Sequence, residues 1–270
     1  MKTGFLRTAR RLAASAVWLF LASTSVPAQT VRPVIDELVG TTVKGRIEYV
    51  NDGLTPLNVV LEPKSFTVSE TGEVSYRPLD ATVHLKLSAS SFRIQPQQTY
   101  YVFYEASAPQ VPSWFVIYAS FTGFAFRTAQ GMNVRLQLPH TVYMLPKQSV
   151  EKSEVHILRA ELDAVQNKVT VEVENTGNNF GRILQTQLVY SKKKQDAQGF
   201  PIFPHSKRIL EVPLDQKAEG ENVPVEVSVS LEKFKLEEKL IRHNSDAVAA
   251  SADSVQTPAA AGTRGGGNTP

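Results

Sequence analysis

The 270-residue sequence predicts an all-β protein. Three observations carry that prediction. Apolar residues recur at every second position in most of the chain beyond residue 28, turn residues punctuate these runs, and helical periodicity extends at most over one or two turns. Alternation puts one row of side chains on a core and the other in water, which is the pattern of a half-buried strand.

The chain opens with a different pattern. Lys2, Arg7, Arg10 and Arg11 precede any acidic residue, an apolar run covers Leu12 to Leu21, and Val26-Pro27-Ala28 supplies small residues for cleavage. A basic start, a short apolar core and a small-residue site make a secretory signal peptide over residues 1–28. The apolar run is too short for a resident transmembrane helix, so cleavage leaves no membrane anchor. The formal charge of +3 then misleads: the 29 Lys and Arg fall by four, to 25 against 26 Asp and Glu. With the basicity goes the case for a nucleic-acid partner.

Strands follow in order. Val43, Gly45, Ile47 and Tyr49 alternate with Lys44, Arg46 and Glu48; Leu57, Val59 and Leu61 form a second run. Trp114 to Ala119 is apolar on both faces and reads as a central strand. Val169, Val171 and Val173 repeat the first pattern, and Val223 to Leu231 is the longest alternation. Asn51-Asp52-Gly53, Glu70-Thr71-Gly72, Asn175-Thr176-Gly177 and Gly220-Glu221-Asn222 are the turns. No long helical pattern competes, although Phe234 to Ile241 could form one or two helical turns.

The strands fall into two similar sets. Gly45 to Gly53 and Val169 to Gly177 each close an alternating strand on Asn-X-Gly, and in each set a proline, Pro96 or Pro204, opens a later strand. Each set has roughly the hundred residues of an immunoglobulin-type sandwich. The expected organisation is therefore two immunoglobulin-like β-sandwich domains in tandem, residues 29–148 and 149–241, joined in the polar stretch Pro146 to Ser153. Residues 242–270, rich in Ala, Ser, Thr, Gly and Pro, bury too little to offset their ordering entropy and read as a disordered tail.

Catalytic chemistry is sparse. Cysteine is absent, which removes disulfides, thiolate metal sites and thiol nucleophiles. His84, His140, His156, His205 and His243 have no metal-ligand spacing and read as surface or strand-end residues. Gly265-Gly266-Gly267 lacks the Gly-Lys-Ser/Thr of a phosphate loop, and no GxSxG is present. Glu172 and Glu174 share a strand face with Lys168 and Thr170 as a solvated charge stripe, and Lys192-Lys193-Lys194 reads as a hairpin-loop charge run. The sequence predicts no enzyme, cofactor or metal.

One segment departs from the rest. In Gly131 to Pro146, Met132, Val134, Leu136 and Leu138 alternate strictly with Asn133, Arg135 and Gln137. Pro139 interrupts, and Val142-Tyr143-Met144 resumes as a strand. Proline lacks an N–H and belongs on an edge or between two pairings. The segment thus divides into a part able to pair outward and a part completing the first domain's sheet. An apolar edge is a hazard unless a partner uses it by strand addition. The same alternation also suits an interior strand of a closed sandwich.

Here the chain resembles the periplasmic pilus-assembly chaperones of the PapD-like type. The alternating run followed by Val142 to Pro146 resembles their closing strand. Phe92-Arg93-Ile94-Gln95-Pro96 resembles their apolar-x-apolar-x-Pro strand opening, Gln110 to Tyr118 the loop and strand before a long connection (here Thr122 to Gln130), and Asn175 to Gly177 the second-domain turn. The resemblance implies a periplasmic protein that binds pilin-like subunits by donating Met132, Val134, Leu136 and Leu138 to an open groove, with an outer-membrane usher as a further partner. It also implies an Arg from the first strand and a Lys from the closing strand that hold the subunit's C-terminal carboxylate. Thr141 stands where that Lys is expected, and Val34 to Asp36 offers no Arg; Arg32, Arg135 and Lys147 are the substitutes, none in register. Two other readings stay open: a structural or adhesive surface module, and a carbohydrate-binding sandwich using Tyr100, Tyr104, Trp114 and Tyr118.

Overall fold

A computed structural model describes residues 29–122, 136–163, 166–190, 193–215 and 225–240. The signal peptide and the tail expected at the two ends therefore lie outside the described residues, as do Met132, Val134 and Arg135. Apart from a short 3-10 turn at Lys152–Glu154, the secondary structure of the described residues is strand. The chain divides into two compact units, Met1–Phe66 with Tyr76–Leu145, and Thr67–Ser75 with Pro146–Pro270.

The first unit is a sandwich. One sheet has the order β1-β3-β8-β6, from β1 (Gln29–Arg32), β3 (Thr42–Asn51), β8 (Gln98–Ser107) and β6 (His84–Leu87). The other has the order β2-β10-β9-β4-β5, from β2 (Ile35–Val39), β10 (Leu136–Leu145), β9 (Ser113–Thr122), β4 (Leu57–Val68) and β5 (Val74–Pro78), with β7 (Ser91–Ile94) also paired to β4. The inward rows of both sheets meet in one core, where Ile47, Tyr49, Leu57, Phe115, Ile117, Phe121, Val142 and Met144 are almost wholly buried. Ser113–Thr122 lies between two strands, as its two-sided apolar run requires.

The second unit repeats the plan. β11 (Val155–Asp163), β12 (Lys168–Asn175) and β15 (Ser206–Pro213) form one sheet; the other has the order β14-β13-β16-β17, from β14 (Lys193–Ile202), β13 (Gly181–Tyr190), β16 (Val225–Leu231) and β17 (Lys235–Leu240). Val169, Val171, Val173, Leu188, Val227 and Val229 fill its core. Thr170, Glu172 and Glu174 form the half-buried row of β12, and Lys207 on the neighbouring strand approaches Glu172 to 3.7 Å.

The two Asn-X-Gly corners are built alike. Asn51 and Asn175 are fully buried, and each side-chain oxygen accepts the N–H of the glycine two residues on, Gly53 or Gly177, at 3.0 Å. Each amide nitrogen donates to a carbonyl four residues on, Thr55 at 2.9 Å and Asn179 at 2.8 Å. The prolines that open later strands are matched as well. Gln97 and His205, each following one, have φ of 60° and 49°, and their N–H groups donate back to the corner, to Asn51 O and Gly177 O.

Two local expectations are corrected. Phe234 to Leu240 is not helical: Lys235–Leu240 is an edge strand paired with β16, because Leu236 packs on the core of the second unit and a helix would forfeit that ladder; Ile241 lies outside the described residues. Lys193 and Lys194 are not loop residues but the first residues of β14, since Tyr190 pairs directly with Lys193; Lys192 lies outside the described residues.

Candidate partner-binding edge and the polar cluster beside it

The described half of the singled-out segment begins β10. Pro139 does not interrupt it: β10 pairs with β9 continuously from Leu136↔Phe121 to Met144↔Ser113, with Pro139 opposite Tyr118. The pairing on the other side is partial. β2 runs parallel to β10 only over Thr141↔Ile35 to Leu145↔Val39. Before Ile35 the chain turns away through the cis Arg32–Pro33 peptide into β1, which belongs to the other sheet. Among the described residues, no strand covers the outer edge of β10 from Leu136 to His140.

Backbone alternation says which groups that edge presents. Thr141 N–H donates to Val34 O at 2.8 Å and Leu145 O accepts from Gly40 N–H at 2.9 Å, so odd-numbered residues of β10 face the β2 side. Even-numbered residues exchange their bonds with β9. The open edge therefore offers the N–H and C=O of Gln137 and the C=O of Pro139. Pro139 costs no ladder bond, because its missing N–H would have pointed outward. Leu136 has its own backbone turned to β9.

The side chains follow the same parity. Val142 and Met144 belong to the core, and Leu138 and Leu136 continue that inward row as partly buried residues packed against it. Gln137 is on the opposite face, its Nε2 donating to Ser120 Oγ at 2.9 Å. The apolar row thus becomes less buried toward the end of the strand whose outer edge is unpaired among the described residues.

Where β10 gains β2 as a neighbour stands a polar cluster that sequence reading missed. His140 is fully buried, not at the surface as expected, because its even position places it between Leu138 and Val142 on the inward row. Its Nδ1 lies 2.7 Å from Pro33 O and its Nε2 3.5 Å from Asp36 Oδ2 on β2. Tyr104 Oη, from β8 in the other sheet, donates to the same Asp36 oxygen at 2.5 Å, and its ring meets the imidazole edge-on. Gly45 on β3 makes room, since a Cβ there would lie 2.2 Å from the Tyr104 ring. Burial pushes the Tyr104 phenol up, and its bond to Asp36 acts in the same direction. Burial holds His140 below the ordinary 6.5, opposed by the Pro33 carbonyl and the Asp36 charge. The only signal in the sequence was parity, which the flanking Pro139 obscured.

Of the candidate carboxylate anchors, Arg135 lies outside the described residues, and the other two are not brought together. Arg32 is exposed at the end of β1, opposite Glu48, near the Thr141 end of the β2–β10 pairing. Lys147 is exposed beyond Leu145, at the far end. About 13 Å of strand separates these ends. Nor do the aromatics make a sugar platform: Tyr104 is buried, Tyr100 stacks on Phe92 at 4.1 Å, Tyr118 meets Tyr76 edge-on, and Trp114 Nε1 donates to Phe66 O. Among the described residues no group of three or more His, Asp or Glu side chains is placed to hold a metal ion.

No family model matches the sequence, and no curated protein does. Solved structures do. One chain of the Salmonella enterica SafA pilin in complex with the SafB chaperone matches with 10% identity and a TM-score of 0.50, over 81% of this chain and 99% of that chain. The YadV chaperone matches with 12% identity and a TM-score of 0.49, over 79% and 98%. The E. coli chaperone DraB matches with 15% identity and a TM-score of 0.45, over 80% and 98%. At these identities the likeness is one of fold. The Saf match extends over both units, so the chain has the two-sandwich, all-β fold of the pilus-assembly chaperones, as its sequence predicts.

Proposed function

We propose that this chain is a non-catalytic periplasmic chaperone for pilus or fibre subunits, capturing an incomplete immunoglobulin-like subunit by strand addition along β10 and handing it to an outer-membrane usher. The observation that carries the reading is the half-covered β10: an edge with no strand paired to it from Leu136 to His140 among the described residues, with Leu136 and Leu138 on a row continuous with the core. The Saf structure, a pilin held by a chaperone, supports it through likeness of fold. Met132 and Val134 extend the same parity toward the partner.

The energetics suit reversible capture. A fully buried apolar side chain contributes about 1.5–3 kcal/mol, and ordering costs are set against the sum. Leu136 and Leu138 are already partly buried and have that much less to gain on capture. A partner strand parallel to β10 would end against Val34, two residues from Arg32, which makes Arg32 the best of the three candidate anchors for its terminal carboxylate; Arg135 and Lys147 are the alternatives.

The test is co-expression with pilin-like subunits encoded beside this protein, followed by co-purification from the periplasm. Wild type is expected to retain a subunit, and Val134→Asp with Leu136→Asp to lose it while remaining folded. Undiminished capture by a folded double variant, or a genomic neighbourhood without usher-like and pilin-like genes, refutes the reading.

A further inference from the structure

His140, Asp36 and Tyr104 come from β10, β2 and β8 and so tie together both sheets of the first unit. The carbonyl of Pro33 can only accept, so Nδ1 of His140 carries the proton of that 2.7 Å bond. The tautomer is thereby fixed. Nε2 of the neutral ring is then a bare lone pair facing Asp36 Oδ2, an oxygen that already accepts from Tyr104, and no hydrogen bond completes it. An acceptor opposes an acceptor inside the fold, at the point where β2 begins to cover β10.

We propose that His140 is a proton-operated joint between β2 and β10, closed while the imidazole is neutral and loosened when it gains a proton. A charged ring in a site without solvent exposure is costly. Asp36 offsets part of that cost, but its Oδ2 is engaged by Tyr104. The route to water passes β2, where Ile35 and Val39 are exposed and the Asp36 side chain is 19% exposed. Parting β2 from β10 hydrates the ring and uncovers Thr141, Tyr143 and Leu145, lengthening the open edge toward the end of the strand.

The titratable groups that face His140 among the described residues are Asp36 from β2 and Tyr104 from β8; its partner on β9 is Ile117, and Gly45 is the β3 residue beneath Tyr104. Burial sets the direction, with a folded value below the ordinary 6.5. A base whose folded value is depressed contributes fully above its unfolded value, and that contribution is lost as pH falls through the window below it. The joint therefore weakens below about pH 6.5. This holds whether or not any partner uses the edge, so its failure leaves the chaperone reading untouched.

The experiment is amide exchange of the full chain between about pH 7.5 and pH 5, corrected for intrinsic rates, beside an NMR titration of the His140 ring. The ring is expected to titrate below 6.5, and protection of Thr141, Tyr143 and Leu145 to fall as pH drops from about 6.5 toward the ring's own midpoint and to level off beneath it, while Val171 in the second unit stays protected. His140→Gln, which keeps a donor for Pro33 but has no proton to gain, should abolish the pH dependence. Asp36→Asn, which removes the charge favouring the imidazolium, should move the midpoint to lower pH. Protection of wild type that is constant over the range, or falls with a midpoint unrelated to that of the ring, overturns the proposal without either variant.

Discussion

Asn51 and Asn175 make the same pair of bonds in the two units, accepting from the glycine two residues on and donating to the carbonyl four residues on. Both are fully buried at the end of a strand, so each side chain stands in for ladder partners that the backbone loses where it turns. Asn51 also reaches Gln95 O at 3.1 Å, joining its corner to the strand opening after Pro96.

Asn51→Ala and Asn175→Ala are expected to destabilise by about 2 kcal/mol, because each strands a buried glycine N–H and removes the donor to a part-buried carbonyl. Asn51→Ala should cost more, since its amide has the additional acceptor. Denaturant unfolding of the two variants, read through the slope-corrected midpoint, checks the order.

Gly45→Ala is expected to cost about 1–3 kcal/mol, as overpacking does in a filled interior. The added methyl would overlap the Tyr104 ring, which cannot swing aside without breaking its bond to Asp36. Thermal unfolding of Gly45→Ala beside Gly45→Ala with Tyr104→Leu separates overlap from backbone effects: the smaller residue should recover part of the loss.

Tyr104→Phe removes a charge-assisted bond and should cost about 1.5–3 kcal/mol. It also has a readout that lost packing would not produce. Without the phenol donor the Asp36 carboxylate holds a neighbouring proton more strongly, so the His140 titration should move upward. An unchanged His140 midpoint in a folded variant would contradict the geometry of the cluster.

Gln137 should exchange its amide proton rapidly in the isolated protein while Leu138 and His140 are protected, because only the odd-numbered groups face outward. Pro139→Ala completes that edge with a second donor. Sedimentation at increasing concentration is expected to show stronger self-association for Pro139→Ala than for wild type.

Much of this was legible in the residues. Alternation located β3, β4, β12 and β16, because burial on one face imposes period two whatever the neighbours; a run apolar on both faces located β9, and the Asn-X-Gly turns located the matched corners. Lys235 to Leu240 was misread because Lys, Leu and Glu favour helices locally, and only pairing with β16 decides otherwise. Pro139 was expected to break a strand that it leaves intact, since its effect depends on which side its nitrogen faces. The Asp36–His140–Tyr104 cluster was invisible for another reason: three strands supply it, and nothing in the spacing of 36, 104 and 140 records that they meet.

Along β10 the inward row passes from the fully buried Met144 and Val142 to the partly buried Leu138 and Leu136. A partner strand added beside that end would join the same oily phase, so its attachment and the folding of its host would be one equilibrium seen from two sides. An occupant should raise the melting temperature of this sandwich in proportion to the logarithm of its concentration, and a loosened host should grip it less firmly.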